Sequence, residues 1–271
     1  MPALRDRTTC RSMSTFSASM HSDHTLERST WLIALLAAPF FGCGRSRAGD
    51  VPLPPDAVSG GLLAWYTLDD DPRDGVVEDH SGAGRDALCA ASLTCPDPTD
   101  GRFGAAASFD GTRDFLRLYD DPLFAADAFS IAAFVRLPGY KQQAVLSKAI
   151  GSGTLSTWAL WCQSDGHVMI ETFTIPGTDA DLLEYSGTTL PTNAWVHLGV
   201  TWDGTRKRLY VNGVLLADRA TEPNDADDHD ILIGADENSG VAGFYFGGSI
   251  DEVRIYDRAL TPAEVAILAG L

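Results

Sequence analysis

Residues 249–265 constrain the fold most, because Ser249-Ile250-Asp251-Glu252-Val253-Arg254-Ile255-Tyr256-Asp257 reads as a strand that runs straight into a capped helix. Val253 and Ile255 alternate with Arg254 and Tyr256, the period of two expected of a half-buried strand. Thr261 is placed to cap a short helix, with Pro262 at its first position and Glu264 three residues after the cap. By the same alternation Asp251 shares the face of Val253 and Ile255 and points toward the core. An inward carboxylate needs hydrogen-bond donors or a metal ion.

Short runs of the same kind recur upstream, separated by turn residues, which is the pattern of a sandwich or barrel. Residues 62–68, 106–111, 114–118, 129–137, 144–148, 158–162, 195–202, 231–234 and 244–246 read as strands. Arg208–Val211 and Val214–Ala217 flank Asn212-Gly213, the strongest short hairpin signal. Only the last ten residues read as helix. The expected fold class is all-β.

Ahead of this lies an eleven-residue apolar run, Trp31 to Phe41, too short to span a bilayer and suited to the apolar part of a signal peptide. Gly42-Cys43-Gly44 follows, and the run resembles a bacterial lipobox, which implies lipidation of Cys43. Phe40 and Phe41 depart from that pattern, which usually has Leu and a small residue there. An ordinary cleaved signal is the alternative, and Met13 or Met20 could be the start. Residues 1–43 are therefore expected to be a leader, 44–60 a Pro/Gly-rich linker, and 61–271 the folded domain. The resemblance places the protein on the outer membrane or cell surface, with a periplasmic or secreted location as the alternative.

Cysteine usage agrees with export. Cys10 would be lost with the leader, and Cys89 and Cys95 lie six apart in a Thr/Pro/Asp-containing loop, so they can close a small disulfide. Cys162 is left over in an apolar strand and reads as a buried free thiol. The net charge is −17, and residues 61–271 hold 14 Lys/Arg against 32 Asp/Glu. That potential argues against nucleic acid or an anionic membrane surface as main partner, since both need a basic face.

The order of the pieces, Trp65-Tyr66-Thr67-Leu68-Asp69, Ser81-Gly82-x-Gly84, Phe109-Asp110-Gly111, Phe129-Ser130-Ile131-x-x-Phe134-Val135, Trp195-x-His197-Leu198, Asp203-Gly204, Leu209-Tyr210-Val211-Asn212-Gly213 and Ile250 to Tyr256, resembles laminin-G-like domains of the concanavalin A-like lectin/glucanase group. The resemblance covers residues 61–271. It implies a jelly-roll sandwich of two antiparallel sheets with a short C-terminal helix. It also implies an extracellular module that binds carbohydrate or protein, often with one calcium ion.

Calcium takes six to eight oxygens, usually with carboxylates from separate loops. Asp69 and Asp110 each end an apolar strand and Asp251 begins one, so Asp110 and Asp251, joined by Asp69, are the expected metal ligands. The competing reading has Asp110 capping the turn at Gly111 and Asp251 accepting backbone N–H groups. The acidic loops 69–71 and 225–230 fit no EF-hand. For stacking on sugar rings the candidates are Trp158, Trp161, Tyr140 and Tyr185, each with core packing or ordinary exposure as its competing reading. Trp158 and Trp161 fall on opposite faces of one strand, so one of them at most is expected in the core.

Catalysis finds no support in the motifs. The paired carboxylates of the group's glucanases, Glu-x-Asp-x-(x)-Glu, are absent, and adjacent Asp251 and Glu252 should face opposite ways. Gly82-x-Gly84-x-x-Ala87 lacks a surrounding strand–helix–strand unit. His167 and His197 stand alone and read as structural. The expectation is a non-catalytic module that binds a polysaccharide or glycoconjugate. A protein-interaction or adhesion module is the second reading, and a divergent glycoside hydrolase or lyase the third.

Overall fold

The computed structural model describes residues 58–90, 93–149, 156–172, 181–221 and 228–271, so the expected leader, Cys43 and residues 44–57 lie outside the described residues. The chain opens with β1 (Leu62–Tyr66), β2 (Val76–Val77), β3 (Ala87–Leu88), β4 (Asp97–Asp100), β5 (Ala105–Asp110) and β6 (Leu116–Leu118). It continues with β7 (Phe129–Arg136), β8 (Gln143–Ala149), β9 (Ser156–Cys162), β10 (Val168–Thr172), β11 (Asp181–Tyr185) and β12 (Trp195–Trp202). Then come β13 (Arg206–Val211), β14 (Val214–Ala220), β15 (Ile231–Ile233), β16 (Asp236–Asn238), β17 (Val241–Gly243), β18 (Gly247–Tyr256) and α1 (Pro262–Leu268).

Two antiparallel sheets form the sandwich. The first runs β14-β13-β12-β7-β18-β5-β4, with β1 also beside β18, and the second runs β11-β10-β9-β8-β15-β6-β3-β2. The expected all-β jelly-roll is therefore the observed architecture. Alternate residues of β7 (Phe129, Ile131, Ala133, Val135) join those of β12 (Val196, Leu198, Val200) in the core between the sheets. Asn212 and Gly213 both take positive φ, as a tight hairpin turn between β13 and β14 requires.

β18 lies at the centre of the first sheet. One edge pairs with β7; the other pairs with β5 over residues 247–250 and with β1 over 253–256. Between these partners Asp251 stands opposite Phe134 and Arg254 opposite Ala132, so two residues bulge against one, and Glu252 takes φ of 55°. The bulge resets the alternation. Ile250, Val253 and Ile255 enter the core, whereas Asp251 points with Phe134 to the outer face. The expectation that Asp251 shares the face of Val253 and Ile255 is thus overturned by one inserted residue.

The outer face of this sheet is itself partly covered. Helix α1 has the expected capping box, Thr261 with Glu264, and packs Val265 and Leu268 on Ala132, Tyr210 and Tyr256. Gly199 permits that approach, since a Cβ there would lie 3.1 Å from Val265. Val58, in the segment expected to be linker, is buried in the same cluster.

Two further expectations change, and one strand is added. Trp158 enters the main core, but Trp161 is buried too, at 4% exposure, in a small outer cluster with Ala144, Ala159 and Met169 and edge-on to Phe244. Residues 244–246 are not a strand: Phe244 takes φ of 48° just after β17. The segment 97–100 is a strand despite Pro98, which the sheet tolerates because β4 is its edge.

Cys89 and Cys95 form the expected disulfide, their Cα atoms 5.1 Å apart, while Cys162 is free and buried, its thiol pushed up to about 12 by that burial. Replacing both bridged cysteines by serine should cost about 2 kcal/mol, because so short a loop restrains the unfolded chain only modestly. Urea unfolding of the oxidised protein and the double variant measures the difference.

Candidate functional site

The loop 101–104 turns β4 into β5, closed by a hydrogen bond from Gly101 N to Gly104 O of 3.0 Å, and folds over the outer face at the bulge. Phe103 lands edge-on against Phe134, with ring centroids 5.5 Å apart, and the Arg102 guanidinium lies over both rings. Asp251 Oδ2 accepts the backbone N–H groups of Arg102 (2.6 Å) and Phe103 (3.0 Å). Asp69 Oδ1 accepts that of Ala105 at 2.6 Å, which ties the end of the first strand to the start of β5. Gly104 makes room for it, since a Cβ there would fall 2.1 Å from Asp69 Oδ1.

The bulge brings Glu252 to the same side. Glu252 Oε2 accepts from Trp65 Nε1 (2.9 Å) and pairs with Arg254 (2.7 Å), whose guanidinium lies 4.5 Å from the Trp65 ring centre. Adjacent Asp251 and Glu252 therefore do not face opposite ways. Burial lifts the Asp251 carboxyl to about 8 against its two backbone bonds, with the charges of Glu252 and Asp69 adding to the shift. Burial also raises Glu252, opposed by Arg254 and Trp65. Asp251 Oδ1 is buried with no hydrogen-bond partner among the described residues. A hard cation would satisfy that oxygen and neutralise the group, but among the described residues Asp69, Asp251 and Glu252 are not a set whose ligand atoms come within 4.8 Å of one another.

Asp110 lies elsewhere. It stands opposite Gly247, four residues before Asp251 on β18 and thus about 13 Å along the strand. Partial burial acts against its ionisation, but hydrogen bonds from Thr112, Arg113 and Asp114 hold its carboxyl at about 2. Asp69 and Glu252 thus lie near enough to Asp251 for their charges to act on it, while Asp110 caps its own turn.

Beside the loop the outer face is open. Trp195, Arg136, Ser249 and Ser108 stand directly opposite one another on β12, β7, β18 and β5, a row about 14 Å long. Arg136 lies 4.8 Å from the Trp195 ring centre and donates to Ser249 Oγ (3.2 Å) and to the Asp100 carbonyl (3.4 Å). Ser108, Arg136 and Ser249, with Pro138, Asn193 and Asp110, line a groove of about 310 Å³ floored by Gly247 and Gly248. A Cβ at Gly248 would meet the Arg136 carbonyl at 2.5 Å, so that position must lack a side chain. Trp195 is not among the aromatics expected to stack on sugars, yet Val196, Leu198 and Val200 in the core place it on the outward face.

The remaining candidates fall outside this face. Tyr140 is exposed and donates to the Leu190 carbonyl at 2.5 Å, and Tyr185 packs its ring against the inner core. His197 is buried; burial and then Arg254 push its ring down to about 3, and Nδ1 has no partner among the described residues. His167 groups with Asp165 and Glu184, and Asp70 with Glu78 and His80, each set bringing ligand atoms within 4.8 Å at the surface. Asp230 of the second acidic loop is tied to Arg117 at 2.8 Å.

A family profile described as the concanavalin A-like lectin/glucanases superfamily matches residues 101–266, and the chain belongs to that family. Among solved structures, it is similar to domain 4 of AbnA, an extracellular arabinanase from Geobacillus stearothermophilus in complex with arabinotriose. That match has 23% identity and a TM-score of 0.59, over 77% of this chain and 98% of that one. The binding domain of Paraclostridial Mosquitocidal Protein 1 matches at 16% identity and TM-score 0.62, over 78% of this chain and 52% of the other. The Ruminococcus gnavus IT-sialidase CBM40 bound to sialyllactose matches at 17% identity and TM-score 0.52, over 61% and 96%. No curated protein matches by sequence.

The raised carboxyl sets a pH dependence. Protonated Asp251 stabilises the fold fully below its unfolded value of 3.8, and that stability is lost as pH rises through about 8. In EDTA the melting temperature should therefore fall between about pH 5 and pH 8. Asp251→Asn, a neutral stand-in for the protonated group, should flatten that slope, which calorimetry at stepped pH checks.

Proposed function

We propose that this chain is a non-catalytic carbohydrate-binding module that lays an extracellular glycan along the groove on the outer face of its first sheet. The observation behind this reading is the row Trp195–Arg136–Ser249–Ser108 over a Gly-Gly floor. It is an aromatic edge followed by polar groups able to match sugar hydroxyls. The arabinotriose and sialyllactose in the neighbouring structures support the same class of ligand. Neither Asp251 nor Glu252 opens onto the groove, at 0% and 8% exposure, which favours binding over hydrolysis.

Asp251 and Asp69 are our proposed side-chain ligands for calcium. When bound, the ion supplies positive charge to the buried carboxyl oxygen that has no hydrogen-bond partner among the described residues. Its place beside the 101–104 loop would brace one wall of the groove. A protein-interaction role is the second reading, favoured by Val214, Leu215 and Leu271, which are exposed beside the β13–β14 turn.

A glycan array probed with the full chain, in calcium and again in EDTA, tests the main reading. Selective binding is expected, and Trp195→Ala should weaken it about tenfold or more. Absence of selective binding in both conditions overturns the carbohydrate reading. Calcium should raise the melting temperature of the wild type and leave Asp251→Asn unmoved; equal melting of the wild type in calcium and EDTA removes the metal.

We further propose that lipid on Cys43 anchors the module to the cell envelope. Cys43→Ala should then move the protein from the detergent phase to the aqueous phase on Triton X-114 partitioning, and unchanged partitioning rejects the anchor.

A further inference from the structure

The cations of the domain are almost all spoken for. Of the 14 Lys and Arg after residue 60, at least eleven form ion pairs with Asp or Glu among the described residues, from Arg73 with Asp71 to Arg258 with Glu264. Arg102 lies over Phe103 and Phe134 beneath the loop. The other two, Arg136 and Lys141, pair with no carboxylate among the described residues, and both sit at the groove. In a chain with more than two acidic residues for each basic one in this domain, an unpaired guanidinium is a position kept free of partners.

The groups around Arg136 sharpen the point. Its Nη2 bonds only neutral oxygens, the Asp100 carbonyl and Ser249 Oγ, and among the described residues Nε and Nη1 donate to nothing. Trp195 holds the guanidinium plane from one side. Lys141 Nζ donates to the Gly111 carbonyl at 2.8 Å, across the turn that ends β5. The carboxylate of the groove, Asp110, is already occupied by its turn amides and by Arg113 at 3.3 Å. A planar fork with open donors, fixed by an aromatic face, matches a carboxylate bidentately.

We infer that the groove selects glycans bearing a carboxylate, a uronic acid or a sialic-acid type sugar, seated against Arg136 with a ring beside Trp195. This rests on the reading of the groove as a carbohydrate site. The chain's net negative charge opposes an anion at long range, but that repulsion is screened beyond about 8 Å at physiological salt, whereas the contact with Arg136 is direct. Selectivity therefore comes from the paired hydrogen bonds at one residue and not from the overall field.

Titration calorimetry with matched ligands tests this: oligogalacturonate against its methyl ester, and sialyllactose against lactose. The wild type should prefer the carboxylated member of at least one pair by about tenfold or more, and which pair shows it separates uronic from sialic acids. Arg136→Gln should erase that preference while neutral binding persists, and Arg136→Lys should restore part of it. Melting temperatures of both variants near the wild type establish that they fold. Equal affinity within both pairs, or a preference that survives Arg136→Gln, overturns the inference. If neutral ligands bind and Trp195→Ala abolishes that binding, the carbohydrate reading stands while this inference falls. If no ligand of either pair binds and the array is blank, both fall together.

Discussion

The seam along β18 is the constraint on which the rest of the outer face depends. One ten-residue strand must border β7 on one side and two successive strands, β5 and β1, on the other. Where one partner stops and the next begins, backbone groups lose their regular pairing, and the bulge at Glu252 sits there. A non-glycine residue at positive φ costs about 1–3 kcal/mol and persists only where its surroundings over-determine it. Pairing on both edges of β18 supplies that determination. Carboxylates then close the gap, Asp69 holding the first residue of β5 and Asp251 holding the loop before it.

Much of this was legible in the sequence, and the failures have definite causes. Period-two alternation found β7 and β12 because each buries one face continuously, and the closing strand because its part after the bulge does so. The Asn212-Gly213 hairpin and the Thr261 cap were read from local chemistry alone. Asp251 was assigned to the wrong face because a bulge is invisible to alternation: one extra residue inverts every assignment on one side of it. Short strands such as β2 and β3 escaped because two residues show no period, and only long-range pairing makes them strands. Trp161 escaped because the β16–β17 hairpin and Phe244 bury a face that the strand alone leaves outward.

The candidate site divides in the same way. Asp69 ends the first apolar run, β1 pairs with β18, and the charge of Asp69 therefore reaches Asp251. Asp110 looked equivalent because it also ends an apolar strand, but register separates it from Asp251 by four residues, and no local signal encodes register. Glu252 was set aside because neighbours on a regular strand diverge; on a bulge they do not.

One set of strands builds three different surfaces on its outer face. Gly199, Ala132 and Arg254 stand in one row, His197, Phe134 and Asp251 in the next, and Trp195, Arg136 and Ser249 in the third. Helix α1 covers the first, the 101–104 loop covers the second, and the third is the open groove. The loop is the part shared by two of them. Its amides at Arg102 and Phe103 are held by Asp251, and the Asp100 carbonyl just before it accepts from Arg136. Burial disfavours an ionised Asp251, while the two loop amides that it accepts favour the ionised form. The charge state of one carboxyl is thereby coupled through a few backbone groups to the wall against which Arg136 is held.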